Sequence, residues 1–217
     1  LKAQGAYKIL TFMPNIITAA TISVLFYKLF DYPNGPLNQI LVNSGIWSQP
    51  FRFLDTKWST RGIVSFINFW MWYGNTMIVL TAGVLGISPS LFEAARVDGA
   101  SSWQIFKSVT LPLLRPIMLF TLVNSAIGGL QMYDIPKLLT TSGYGDPDYT
   151  TRTITMYIRE LAFTGSRQMG KASAASLVLF VVTLFFSLIL FYIMRDKDAI
   201  REKKTIKAAQ KARKEAK

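Results

Sequence analysis

Four stretches of this chain carry no charged side chain and are long enough, or nearly so, to cross a lipid bilayer: Ile9–Tyr27 (19 residues), Gly62–Phe92 (31), Ile117–Tyr133 (17) and Ala172–Met194 (23). A helix rises about 1.5 Å per residue, so roughly 20 residues match a hydrocarbon core of about 30 Å. The last run lacks the polar stripe of a helix on the surface of a soluble core, and four such runs leave little chain to cover them. The expectation is an all-α membrane protein. A transmembrane domain over residues 1–194 would hold spanning helices at 9–30, 62–87, 113–135 and 172–194, with a loop at 88–112 and a tail at 195–217. Composition agrees, since 51% hydrophobic and 17% charged residues are seldom combined in a soluble domain of this size.

The charge, +12 overall, is uneven: from Arg195 onward the chain has ten Lys or Arg against four Asp or Glu. A basic tail invites a nucleic-acid reading. Here it follows directly on a spanning helix, where cations mark the cytoplasmic side and touch anionic lipid headgroups, so a membrane-lipid contact and no nucleic acid is expected. Four crossings put the N-terminus, the 88–116 segment and the tail on one face. That face receives 15 Lys or Arg against 8 on the other, which makes it cytoplasmic. The tail decides this count. There is no Cys and no His, which excludes disulfides, thiol chemistry, thiolate or imidazole metal sites and His-based catalysis. The chain opens at Leu1-Lys2-Ala3 without an initiator Met or a signal peptide, and an N-terminal piece is expected to be missing.

The outer segments contain two runs of turn formers, Asp31–Pro36 and Ser142–Asp148. Between the second and the last helix, Ile154, Tyr157, Ile158 and Leu161 have the spacing of a short amphipathic surface helix.

The loop between the second and third runs is the most informative segment. It reads as two short helices with a break: Ser88 or Ser90 caps the first, Glu93 lies in its first turn, and Gly99 ends it. Ser101 or Ser102 caps the second and Pro112 stops it, with Trp103, Phe106 and Val109 at spacings of three. A short helix with an aromatic face, held in water between two spans, needs a docking partner.

Glu93-Ala94-Ala95, three residues, Gly99, nine residues, Val109, one residue, then Leu111-Pro112 resembles the cytoplasmic EAA loop of binding-protein-dependent ABC importer permeases. The fillings Asp98-Gly99-Ala100 and Thr110-Leu111-Pro112 are similar to its carbohydrate branch, the maltose and glycerol-phosphate permeases. So are Phe12–Ile17, Gly35–Asn38, Leu138–Thr140 and Ala172–Ala175. The resemblance implies a polytopic helical bundle of the type I importer kind, in which the first two of six usual helices are absent. It further implies that the loop forms a coupling helix seated on a separate nucleotide-binding ATPase. Glu93 would then make polar contacts with that ATPase, Ala94 and Ala95 would permit close approach, and Gly99 would turn the chain, with Asp98, Trp103, Phe106, Leu111 and Pro112 completing the joint. ATP and Mg would belong to the ATPase, leaving this chain with no cofactor and no catalytic residue. The other implied partners are a second, non-identical permease and an extracytoplasmic solute-binding protein. One departure concerns the loop after the third helix, where Thr141-Ser142-Gly143-Tyr144-Gly145-Asp146-Pro147 replaces the family's glycine run.

Polar residues inside spans are costly unless they face a cavity or another helix. Asn68, Trp72 and Asn75 form one stripe; Ser125, Gly129 and Met132 form another, flanked by Asn124, Gly128 and Gln131. Amides beside an aromatic plane suit a neutral sugar, whereas the plain alternative is helix packing. Gly165–Lys171 nearly spells a phosphate-binding loop, but Ala172 stands where a hydroxyl is required and no apolar strand precedes it. Three function classes are distinguishable: a sugar importer permease, the same kind of permease for another solute such as glycerol-phosphate or a polyamine, and a membrane-embedded transferase. The last needs a catalytic base or metal cluster that eight acids before the tail do not supply.

Overall fold

The computed structural model describes residues 2–194, and within them every regular element is helical. The expected basic tail at 195–217 lies outside the described residues. The chain runs through α1 (Lys2–Ile16), α2 (Ala19–Leu29), α3 (Pro36–Asn43), α4 (Lys57–Leu85), α5 (Pro89–Val97) and α6 (Ser102–Ile105). A π turn over Phe106–Thr110 then leads into α7 (Leu111–Leu130), α8 (Asp134–Leu139), α9 (Ile154–Phe163) and α10 (Met169–Met194). Three of these rods are long and apolar enough to cross a membrane: α4, the α6-to-α8 rod and α10; the α1–α2 pair makes a fourth if counted as one span.

That pair departs from the expected straight helix at 9–30, because the chain bends by 95° between Ile16 and Ala19. Thr18 explains the break: it takes an extended backbone and its hydroxyl accepts from the Thr21 N–H at 3.2 Å, which starts a new helix. The other boundaries also shift. Helix α4 begins at Lys57, ahead of the apolar run, and α10 at Met169. Helix α7 ends at Leu130, so Gln131 and Met132 lie at a break before α8 rather than inside a continuous helix. Paired Gly128 and Gly129 weaken its last turn, and Pro136 without an N–H fits only the start of a helix.

Packing is concentrated at one end of the bundle. Ile22 and Phe26 of α2, Ile63, Val64, Ile67 and Met71 of α4, and Ile135 and Leu139 of α8 form the apolar core, with Met132 against its edge. We call this the far end; the loop end carries α5 and α6. Helix α1 lies against the middle of α4, where Gly74 lets two backbones meet and Asn15 Nδ2 donates to the Met71 carbonyl at 3.3 Å. Helix α10 packs on α7 and α9 through Ala172 and Leu179, while Phe180, Phe185, Leu188 and Tyr192 remain exposed. An apolar face of that extent needs lipid or another protein chain to cover it.

The far end is closed by ordered loops. Buried Asn38 donates to the carbonyls of Asp31 and Phe51, both at 3.1 Å, and accepts from the Phe51 N–H at 2.9 Å. The 140–153 loop is tied to the start of α4 by Lys57–Asp148 at 3.0 Å and by Arg61 Nε donating to the Thr150 carbonyl at 3.0 Å. In α9 the enclosed residues are Met156 and Ala162, whereas Ile154 and Tyr157 of the expected apolar face are exposed. The reason is that α9 turns Met156 inward, beside Tyr133 and Lys137, and Tyr157 toward Arg152.

Candidate functional site

The loop end is built from two caps placed back to back. Helix α5 ends in a paired turn: the Gly99 N–H donates to the Arg96 carbonyl and the Ala100 N–H to the Ala95 carbonyl, each at 3.0 Å. This geometry requires a left-handed residue, and Gly99 supplies it at φ +77°. Two residues after Gly99, Ser101 opens α6 with a reciprocal cap. Its hydroxyl accepts from the Gln104 N–H at 3.4 Å, while the Gln104 side chain accepts from the Ser101 N–H at 2.7 Å. The spacing Ser101-x-x-Gln104 carries this signal in the sequence.

Two expectations about α5 need correction. Glu93 lies in the second turn, because the helix starts at Pro89. Ser88 precedes it without capping a backbone N–H, its hydroxyl bonding instead to that of Ser90 at 2.8 Å. Pro89 at the first helical position removes one of the donors a cap would serve.

Pro112 does not stop the second helix. The chain passes from α6 through the π turn into α7 without interruption, the Leu111 N–H reaching back to the Phe106 carbonyl. Proline near a helix start costs little because donors there lack intrahelical partners, and the wider π turn supplies such a start in the middle of a rod. Leu111 therefore joins α6 to α7 through its hydrogen bond, and Pro112, without an N–H, is accommodated within the rod.

On this frame Glu93, Ala94, Asp98, Gly99, Trp103 and Phe106 are all exposed, with Ala95 half-covered. The Trp103 and Phe106 rings stack 5.6 Å apart. Above them an apolar groove lined by Gly83, Gly86, Leu91, Leu113 and Ile117 separates the end of α4 from the start of α7.

Helices α4 and α7 run antiparallel and touch at Gly83, whose Cα faces Leu114 and Ile117. An α-helix turns about 100° per residue, so Trp72 lies within about 20° of the Gly83 side and Ser125 within about 20° of the Leu114 side. Counted from that contact, Trp72 and Asn75 stand level with the Ser125–Gly129 turn. Yet Trp72 is 53% exposed, Ser125 is exposed and nothing approaches Gly129 within 4 Å. Facing sides of two packed helices are thus open at mid-depth. No hydrogen bond joins Asn68 or Asn75 to Ser125 or Gln131 among the described residues. Gln131 is exposed at the break after α7, while Met132 leaves the stripe for the far-end core and its carbonyl accepts from Thr153 Oγ1 at 2.7 Å.

Neither spacing nor resemblance singles out a third group. Lys137, Arg152 and Arg159 gather with Tyr133 and Tyr144 around a cavity at the far end. The alternation of Tyr149, Arg152, Tyr157 and Arg159 is its only trace in the sequence.

Comparison with known proteins places these features. The chain is 31% identical over 197 residues to the lactose transport system permease protein LacF of Rhizobium radiobacter, covering 91% of this chain and 65% of that protein. It is 30% identical over 189 residues to the trehalose/maltose transport system permease protein MalF of Thermococcus litoralis, covering 87% and 62%. A crystal structure of a bacterial ABC transporter involved in the import of the acidic polysaccharide alginate contains a chain that superposes with a TM-score of 0.77 at 28% identity, covering 89% of this chain and 66% of that one. The chain thus spans somewhat under two thirds of the length of these relatives. Residues 4–198 match the family described as the binding-protein-dependent transport system inner membrane component, and the chain, a multi-pass helical membrane protein, belongs to that family.

Proposed function

We propose that this protein is a permease chain of an ATP-driven importer for a sugar or oligosaccharide. The carrying observation is the exposed joint from Glu93 to Phe106, preorganised by two caps and continuous with α7, and set between two helices long enough to span a membrane. An aromatic pair left in the open on a rigid stub is suited to seat in a cleft of another protein. That partner is a nucleotide-binding ATPase, which holds ATP and Mg; this chain carries out no hydrolysis. Closure of the ATPase pair moves α6, and α7 moves with it, as a shift between inward-facing and outward-facing populations.

The level stripes of α4 and α7 support a pathway along Asn68, Trp72, Asn75, Ser125 and Gly129, with Gln131 at its outer mouth and Met132 turned to the far-end core. Amides and an indole facing an opening match the hydroxyls and C–H faces of a sugar. Named relatives that handle lactose, trehalose/maltose and alginate support that substrate class. The second wall would be a different permease chain, and the solute would arrive on an extracytoplasmic binding protein. The loop end is then cytoplasmic, as is the C-terminus.

The test is to purify the chain with its neighbouring subunits, reconstitute it in vesicles, and compare wild type with Glu93→Lys. Loss of ATPase association or of ATP-driven sugar uptake, with normal membrane insertion, is the expected result. Full coupled uptake in the variant would remove the loop from the mechanism.

A further inference from the structure

The far-end cavity has a volume of about 120 Å³ and is walled by Tyr133, Lys137, Tyr144, Arg152, Arg159 and Phe163, with Glu160 beside them. It forms because α8 carries Lys137 just after the break at Tyr133, and the 140–146 turn folds back over it. Gly143, at φ +70°, makes that return possible, since a Cβ there would lie 2.9 Å from Lys137 Nζ. Helix α9 closes the other side. None of the residues assigned to the α4–α7 pathway lines it.

Its charges are arranged unlike those of an ordinary surface. Lys137 Nζ sits 5.0 Å from the centre of the Tyr144 ring, and the Arg159 guanidinium lies 4.4 Å from that of Tyr133 and 5.9 Å from that of Phe163. Neither cation has a carboxylate within ion-pair distance among the described residues. Arg152 alone is paired, with Glu160, and its Nε is enclosed without a hydrogen-bond partner. Three cations and one acid leave a positive wall, and like charges around one partly enclosed space repel unless an anion joins them. Aromatic faces lower the cost of holding the cations but cannot neutralise them.

Size and surface narrow the ligand. A cavity of about 150 Å³ accepts a ring the size of benzene, so this one admits a carboxylate together with part of the ring that bears it. Tyr133, Tyr144 and Phe163 offer planes against which the C–H face of a pyranose can lie. A bare anion would use only the cations and leave those planes idle.

We propose that this cavity receives an acidic sugar unit, its carboxylate accepting from Lys137 and Arg159 and its ring lying against Tyr133 or Tyr144. The inference rests on the importer reading and narrows its substrate to an anionic saccharide that is met at the far end before the α4–α7 pathway.

The test uses the intact transporter with its partner subunits in lipid nanodiscs, with D-glucuronate, D-glucose, acetate and inorganic phosphate as probes, read by saturation-transfer NMR. Glucuronate should bind, and Lys137→Met and Arg159→Met should each weaken it about tenfold or more, the usual loss for a charge-assisted hydrogen bond. Lys137→Arg should retain most binding and the same unfolding midpoint. Equal binding of glucose, equal binding of acetate or phosphate, or indifference to both methionine variants would each overturn the assignment. Uptake in vesicles keeps the two readings apart. ATP-driven uptake of a neutral sugar without glucuronate binding sinks the acidic-sugar site and leaves the importer; absence of ATP-dependent uptake of any sugar sinks the importer, while the NMR series still decides the cavity.

Discussion

The indole of Trp103 stacks on the ring of Phe106, centroids 5.6 Å apart and planes inclined by 27°, with Trp103 70% exposed. Three residues apart on one helix face, the two rings hold each other in position while Trp103 stays largely open among the described residues. Trp103→Ala should leave the unfolding midpoint of the solubilised protein within about 0.5 kcal/mol of wild type, as exposed substitutions usually do. It should nevertheless reduce recovery of the ATPase on purification, because a buried interface tryptophan is commonly worth about 2 kcal/mol or more. Equal ATPase recovery from the variant would show that the pair is not the docking element.

A Cβ placed on Gly99 would have nothing within 4 Å of it, so substitution there meets strain and not crowding. Gly99→Ala forces an L side chain into the left-handed region at a cost of about 1–2 kcal/mol. Coupled uptake should fall by about fivefold or more while the spanning helices stay folded by circular dichroism; Gly99→Asn, which tolerates that region, should recover part of the loss.

Gly74 and Gly83 are both crowded but differ in what crowds them, backbone at one and side-chain tips at the other. A Cβ at Gly74 would stand 2.2 Å from the Thr11 carbonyl oxygen, and relief requires α1 to move away from α4. At Gly83 the obstacles are the side-chain tips of Ile117 and Leu114, at 2.5 and 2.9 Å, which can swing aside. Gly74→Ala should therefore destabilise by about 1–3 kcal/mol, and Gly83→Ala by less than about 1 kcal/mol. Thermal unfolding of the two variants in the same detergent measures the difference.

Asn38 is fully buried with three hydrogen bonds to backbone groups of two loop segments. Asn38→Leu keeps the volume and strands those groups, at a cost of about 2–4 kcal/mol. The loss should appear as a lower unfolding midpoint and faster proteolysis between residues 44 and 53, with the loop end unaffected.

Long-range features were legible in the sequence where one physical rule dominates. Charge-free length announces spans, and the spacing from Glu93 to Pro112 announces the joint, because glycine and serine are the residues that can end and begin helices within so few positions. Element ends were less legible. Thr18 breaks the first run through a side-chain cap that apolarity hides, and Pro112 lies inside a continuous rod because the π turn before it leaves no pattern in residue type. The far-end cavity was invisible for a different reason: Lys137 and Arg159 are 22 positions apart and meet only once the 140–153 loop has folded.

The π turn has a mechanical consequence. It inserts one extra residue into a helix without a glycine or a gap, so residues 102–130 form one continuous shaft of about 43 Å. Pro112 and Pro116 follow the π turn closely, so the root of the shaft is the place where it can flex. In the proposed coupling, a tilt of a few degrees at Trp103 would reach Ser125 as a sideways sweep, with the pivot at the two prolines.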